Sequence, residues 1–365
     1  MISRTIPLFD RGGIQTHVYN LSKALARQGV EVDLFIIGKK VDIGKNLTIH
    51  PIKAFGFPRL TAGLYATFTL NAARHAKRYD LDLIHGHSMY ATGYALMKKK
   101  PFVLTLHGTQ LSELRATLET RPRANHVMTD TITTLMEKYS ISKADRVIVT
   151  CKHNFEEVID QYNIDEEKMR VVYQGVDVER FTPSKCEGKT VLFVGRLHQR
   201  KGVDRLLRAF KKVVKEEPEA KLLIAGRGEG EQEYKALAKK LALGASVKFL
   251  GHFPEEELPG LYSSASLFVM PSYYEGFGLV LLEGMASGLP VLAFDTGVVP
   301  EIIENGRNGF MVEDDNDLAD RVLEILADEQ KRKAMGKRSR AIVEEKLTWD
   351  RTAKGTIEVY KELVE

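Results

Sequence analysis

At 365 residues, with 44% hydrophobic and 28% charged side chains, the chain has the composition of an ordinary globular protein and exceeds the usual size of one core, so two domains are expected. Its two cysteines, Cys151 and Cys186, have neither metal-site nor redox-pair spacing, and the absence of any apolar run of eighteen or of a signal-like N-terminus argues against membrane spanning and export. Net charge is only +4, but residues 1–100 hold 15 Lys and Arg against 6 Asp and Glu, a surplus of +9 that leaves the remainder at about −5; such asymmetry suits a solvated basic face or a surface meeting phosphate or anionic lipid.

Short apolar runs alternate with amphipathic stretches in two successive series, the pattern of parallel-sheet α/β domains. Only Ile2 precedes the turn RTIPLFDRGG, where a first strand usually has five or six apolar residues. The first strand is therefore very short or the natural start lies upstream of Met1, and the second is expected. GIQTHVYNLSKALARQG predicts a helix with Ile14, Val18, Leu21 and Leu25 on one face and Gly29 at its end. Strands are predicted at 30–37, 82–87, 101–108, 145–150 and 169–175. Between the first two lies segment 56–78, which mixes Leu60, Leu64, Tyr65 and Phe68 with Arg59, Arg74, Lys77 and Arg78. It reads as a packed helix or as one lying on a membrane surface.

The polar stretch GVDVERFTPSKCEGK (175–189) reads as a linker, and a second series of strands follows at 190–197, 221–228, 246–253, 266–272 and 289–297. The last 35 residues are helical by pattern, and their final segment, 349–365, is expected to pack back on the first domain. Expected domains are thus 1–180 with about 349–365, and 181–348. The strands are nearly continuous apolar runs, so helices should cover both sheet faces. Two doubly wound domains would bind ligand in a cleft at the C-terminal ends of their strands.

Position at those ends selects the candidate residues. Arg196 and Lys201 follow TVLFVG, with Gly202 opening a helix; cations beside unpaired helix-end amides make an anion site. Arg200 reads as surface charge. Gly276 and Gly278 follow SLFVMPS and would let the amides of Phe277, Gly278 and Leu279 approach a ligand. Glu283, one turn into that helix, suits a ribose diol, and Glu275 would face whatever extends beyond the phosphates. Gly12 and Gly13 precede the first helix and could reach an anion with their amides, and His107 ends PFVLTLHG. His17, His85 and His87 are read as structural. Asp80-Leu81-Asp82 precedes a strand and Asp315-Asn316-Asp317 looks like a helix start, so neither is expected to hold metal, and no metal site is expected.

The motifs DRGGIQTHVYNLSKALARQGVEV, PFVLTLHG, VVYQGVD, VLFVGRLHQRKGVD, LLIAGRGE, VMPSYYEGFGLVLLEGMASGLPV and VVPEIIENGRNGFMV, in this order, span essentially the whole chain. In this it resembles the retaining glycosyltransferases of family 4, which have the two-domain GT-B fold. The resemblance implies that Arg196 and Lys201 hold the donor diphosphate, Glu283 binds the nucleotide ribose, and Glu275 with the Phe277, Gly278 and Leu279 amides contacts the donor sugar. It also places Gly13 against the diphosphate and His107 near the anomeric carbon. The donor would be a UDP-, GDP- or ADP-sugar, uridine being favoured. No cofactor is expected, the acceptor (sugar, lipid or small molecule) stays open, and nucleic acid is not an expected partner. Location would be cytoplasmic, with peripheral contact on anionic membrane admitted. Val298 departs from the family pattern, where a second glycine commonly stands, and should alter loop shape only.

Three other readings compete. A nicotinamide oxidoreductase needs G-x-G-x-x-G, but GRGEG (226–230) is followed by Glu231 where the third glycine belongs. A nucleotide-sugar epimerase would share the diphosphate site, and a non-catalytic nucleotide-sugar-binding protein would keep the nucleotide and lose the chemistry.

Overall fold

In the computed structural model, α1 (Gly13–Arg27) buries Val18, Leu21 and Leu25 completely, and Gly29 follows its end at a φ of 89°. The described residues are 1–10, 12–55, 61–118, 124–183 and 188–365. Arg59, Leu60 and Cys186 lie outside them, as do residues 184–187 of the expected linker. The chain divides into two compact units, Met1–Gln174 with Trp349–Glu365, and Gly175–Thr348.

In the first unit α1 is followed by β1 (Val32–Ile36), β2 (Leu47–Pro51), α2 (Thr61–Ala76), β3 (Ile84–His87), α3 (Thr92–Leu96) and β4 (Phe102–Leu106). Then come α4 (Gln110–Leu118), α5 (Ala124–Lys143), β5 (Arg146–Val149), α6 (Lys152–Tyr162) and β6 (Met169–Val171). All pairings are parallel: β1 with β2, and β3-β4-β5-β6 in order. Ile2 joins the two groups, bridging Phe35 of β1 and Gly86 of β3. Its N–H donates to the His85 carbonyl at 2.8 Å and its carbonyl accepts from His87 N–H at 3.2 Å. This short segment therefore occupies the place of the first strand. Strand order then runs outward from Ile2 in both directions, and reverses there.

α2 is a packed helix with a basic outer face. Phe68, Ala72, Ala73 and Ala76 enter the core, while Arg74 to its outside and Lys77 and Arg78 just beyond its end are exposed. No helix among the described residues is long and apolar enough to cross a membrane.

The second unit holds β7 (Thr190–Val194), α7 (Val203–Glu216), β8 (Lys221–Ala225), α8 (Glu231–Lys240), β9 (Val247–Gly251), α9 (Leu258–Ser263) and β10 (Leu267–Met270). It continues with α10 (Leu279–Ala286), β11 (Val291–Phe294), α11 (Val299–Ile302), β12 (Gly309–Val312), α12 (Asp315–Ala327) and α13 (Glu329–Lys346). Its six parallel strands lie in the order β12-β11-β10-β7-β8-β9. From β7 the chain winds to one edge, then returns past β7 to wind to the other, so the topological switch lies between β7 and β10. α7 is amphipathic because Val203, Leu206, Leu207, Phe210 and Val213 recur at helical spacing, and all five are buried. They join β7, β8 and α12 in one core, each large apolar side chain contributing about 1.5–3 kcal/mol.

The last helix, α14 (Trp349–Val364), belongs to the first unit and packs on α1. Asp350 pairs with Arg27 at 2.7 Å, Tyr360 hydroxyl meets His85 Nδ1 at 2.6 Å, and Glu362 binds Arg146 and Arg170. Asp80 and Asp82 are exposed before β3, at the end opposite to the ligand-binding ends of strands, and Asp80 pairs with Lys100. Asp315 opens α12 and pairs with Arg205 and Arg208.

Candidate functional site

The β7–α7 and β10–α10 connections leave the C-terminal ends of neighbouring strands on either side of the switch in the second unit. Gly202 closes the first connection at a φ of 64°, and a Cβ built there would lie 1.9 Å from the Pro271 carbonyl oxygen of the second. Only glycine permits that contact. Tyr273 N–H donates to the Arg200 carbonyl at 2.8 Å, stitching the two connections together. The resulting position of Lys201 lets its ammonium pair with Glu275 Oε1.

This pair is nearly dry, with side chains 15% and 8% exposed. Ser272 hydroxyl donates to the same Glu275 oxygen at 2.8 Å, and Glu275 N–H donates to Thr296 Oγ1 at 2.9 Å. Burial opposes the charge on Glu275, but Lys201 and Arg200 hold its carboxyl below the usual carboxylate range. Arg196, five residues before Lys201, is exposed and makes no side-chain ion pair among the described residues.

Gly278 is the N-cap of α10 at a φ of 104°, and no side chain caps the helix. The amides of Phe277, Gly278 and Leu279 donate to no group among the described residues. They form a set of aimed donors at the positive end of the helix dipole. The loop after β11 walls the same turn: Gly297 lies under the Glu275 and Phe277 carbonyls, and buried Val298 donates to Phe277 O at 3.4 Å. Thr296 in this loop and Ser272 went unread in the sequence; that Thr296 follows the strand next to β10 was the available signal.

Glu283, in the second turn of α10, is half-buried and accepts from Tyr262 hydroxyl through Oε2 at 2.8 Å. Its other oxygen has no hydrogen-bond partner among the described residues. Burial pushes its carboxyl up to about 7 despite the Tyr262 hydrogen bond. Glu275 is therefore kept charged and Glu283 is poised to titrate.

In the first unit the amides of Gly13 and Ile14 at the α1 terminus donate to no group among the described residues, and Gly12 is the N-cap. His107 follows β4 and His87 ends β3, beside the reversal at Ile2. His87 Nδ1 lies 3.2 Å from His107 Nε2, and the His17 ring from α1 meets His107 with centroids 4.5 Å apart. His17 and His87, read singly as structural, thus share one cluster with His107. His85 stacks on His87 and bonds Tyr360 and Thr105. Burial lowers the pKa of all four rings, to about 3 for His17.

Residues 177–342 match the family described as Glycosyl transferases group 1, and residues 11–180 match Glycosyltransferase Family 4. The chain is 30% identical to a D-inositol 3-phosphate glycosyltransferase of Corynebacterium jeikeium, over 97% of this chain and 92% of that one. Sucrose-phosphate synthase from Thermosynechococcus elongatus superposes with a TM-score of 0.83 at 24% identity, covering 100% of this chain and 96% of the other. Anabaena HepE in complex with UDP and glucose gives 0.77 at 21% identity, with 97% of each chain covered.

Proposed function

The chain belongs to glycosyltransferase family 4, with the GT-B fold, and moves a sugar from a nucleotide sugar; from that premise we propose that its donor is a UDP-hexose, that transfer to an acceptor hydroxyl retains anomeric configuration, and that no divalent metal is required. Support for uridine comes from the UDP complex of the similar HepE. The observation that carries the reading is the placement of Lys201 and Glu275 on either side of the second unit's switch, beside three amides without acceptors among the described residues.

In this reading Arg196, Lys201 and the Phe277, Gly278 and Leu279 amides hold the diphosphate. As the glycosidic bond breaks, negative charge grows on the departing phosphate and positive charge on the ring. Donors already aimed at that phosphate need little reorganisation, and their charge does the work a divalent ion would do. Glu275, ionised and bonded to Lys201 and Ser272, is a good acceptor for sugar hydroxyls and a weak nucleophile, so it orients the sugar. Gly276 lets the backbone come close to that sugar. Gly12 and Gly13 are assigned to an anion, and His107 to the reacting sugar.

A panel of nucleotides and nucleotide sugars tests the assignment by thermal shift, since a ligand bound only by the folded state raises the melting temperature. UDP and UDP-sugars should give the largest shifts. Equal responses to uridine and UDP would remove the diphosphate site.

Glu283 gives a second test. Ribose hydroxyls donate more strongly to its carboxylate than to the neutral acid, whereas its raised pKa of about 7 leaves much of it protonated at neutral pH. Donor affinity should therefore rise by up to about tenfold as pH climbs from one unit below that value to one above. Calorimetry of a UDP-sugar should show this in the native protein and lose it in Glu283→Gln. The same pH slope in both proteins would take Glu283 away from the ribose.

A further inference from the structure

Sugar transfer as proposed uses one imidazole of the first unit, yet three converge there. His17, His87 and His107 each present a ring nitrogen, and the three nitrogens lie within 4.8 Å of one another. They come from α1, the end of β3 and the residue after β4, three elements fixed by the core. His17 is 2% exposed and His87 fully buried. Among the described residues neither His17 nitrogen makes a hydrogen bond, although the Gln174 side chain lies beside the ring, and Gln174 Oε1 is itself buried without a partner there. Buried polar groups left this way call for a ligand.

We propose that His17, His87 and His107 form a three-nitrogen site for a borderline transition-metal ion, Zn2+ above all, and that an ion held there withdraws His107 from the sugar and lowers turnover. The spacing suits it. Two nitrogens bound to tetrahedral Zn2+ at 2.0–2.1 Å stand about 3.4 Å apart, and His87 Nδ1 and His107 Nε2 are already 3.2 Å apart. At present one of that pair must carry the proton the other accepts; on binding, that proton would move to the other nitrogen of its own ring, which stays neutral, and the ion would take both lone pairs. Rotation of the His17 ring, unbonded among the described residues, would bring the third nitrogen in. Burial keeps all three rings in the neutral form that metals bind. Gln174 Oε1 would accept the remaining N–H of His17, the usual support for a metal-bound imidazole. Imidazole nitrogens select Zn2+, Cu2+ or Ni2+ over Mg2+.

The test is titration of the full chain, freed of metal by chelator and dialysis, with Zn2+ against a chromophoric competitor. One tight equivalent is expected, raising the melting temperature, with no such effect from Mg2+. His87→Gln should weaken that equivalent at least tenfold. The half-buried His107→Gln serves as a second variant should the first fail to fold, as judged by circular dichroism and the metal-free melting temperature. Absence of a tight equivalent, or equal affinity in a folded variant, overturns the site. The inhibitory half rests on the role proposed for His107: one equivalent of Zn2+ should lower turnover and chelator should restore it. Tight binding with unchanged turnover would overturn that role and keep the metal site.

Discussion

Lys201→Ala should slow turnover at saturating donor by about 10²–10³-fold, on the order of 3 kcal/mol in barrier, because in the proposed reading it removes a donor for the charge that develops on the leaving diphosphate. It also leaves Glu275 buried without its ammonium partner, which costs about 3–5 kcal/mol of stability. The two effects separate by pH. In the native protein the Glu275 carboxyl is held below its usual range, so its contribution to stability is lost as pH falls through that lowered pKa. Without Lys201, burial raises the pKa instead, and stability should fall as pH rises. Arg196→Ala is the comparison, since this exposed residue has no ion pair to lose among the described residues. It should reduce turnover to a similar degree with the melting temperature unchanged. Product assays and thermal melts measure both, and turnover within about fivefold of wild type in either variant would remove that side chain from the diphosphate.

Gly202→Ala should destabilise the protein by about 3 kcal/mol. A left-handed backbone costs an L-residue roughly 1–2 kcal/mol, and the new methyl would sit 1.9 Å from the Pro271 carbonyl oxygen, where backbone has to move. For a unit of this size that corresponds to a fall of about 6–12 °C in melting temperature. Activity should fall as well, because Gly202 adjoins Lys201 and sets how the β7 and β10 connections meet. A melting temperature within about 2 °C of wild type would mean that the two connections separate easily and that the close approach does not hold Lys201 in place.

Much of the architecture was legible because the strands are nearly continuous apolar runs set between amphipathic segments; TVLFV at β7 and LFVM at β10 are plain examples. β2 and β12 escaped, and for different reasons. Leu47–Pro51 alternates buried and exposed positions beside a polar turn, while Gly309–Val312 is a four-residue edge strand behind a glycine. The first strand shrinks to the bridges of Ile2, whose partners Phe35 and Gly86 are distant in sequence. Strand-end placement of Arg196, Lys201, Glu275 and Gly278 could be reasoned from pattern. The Lys201–Glu275 and Tyr262–Glu283 bonds could not, since they join residues 74 and 21 apart. The histidines were weighed singly, and a lone histidine gives no sign of its neighbours. Only the order of strands around Ile2 reveals that β3 and β4 deliver His87 and His107 to one place, with α1 supplying His17.

α14 carries a consequence for how the molecule is born. Residues 175–348 form an uninterrupted stretch, so every residue of this unit is joined before the first residue of α14. The other unit must wait. Until α14 emerges, Tyr360 cannot meet His85, Trp349 cannot lie against His17, and Arg146 and Arg170 lack Glu362. The imidazoles thus gain their α14 neighbours only after the whole second unit has been joined, although the elements that carry the rings precede that unit in the chain.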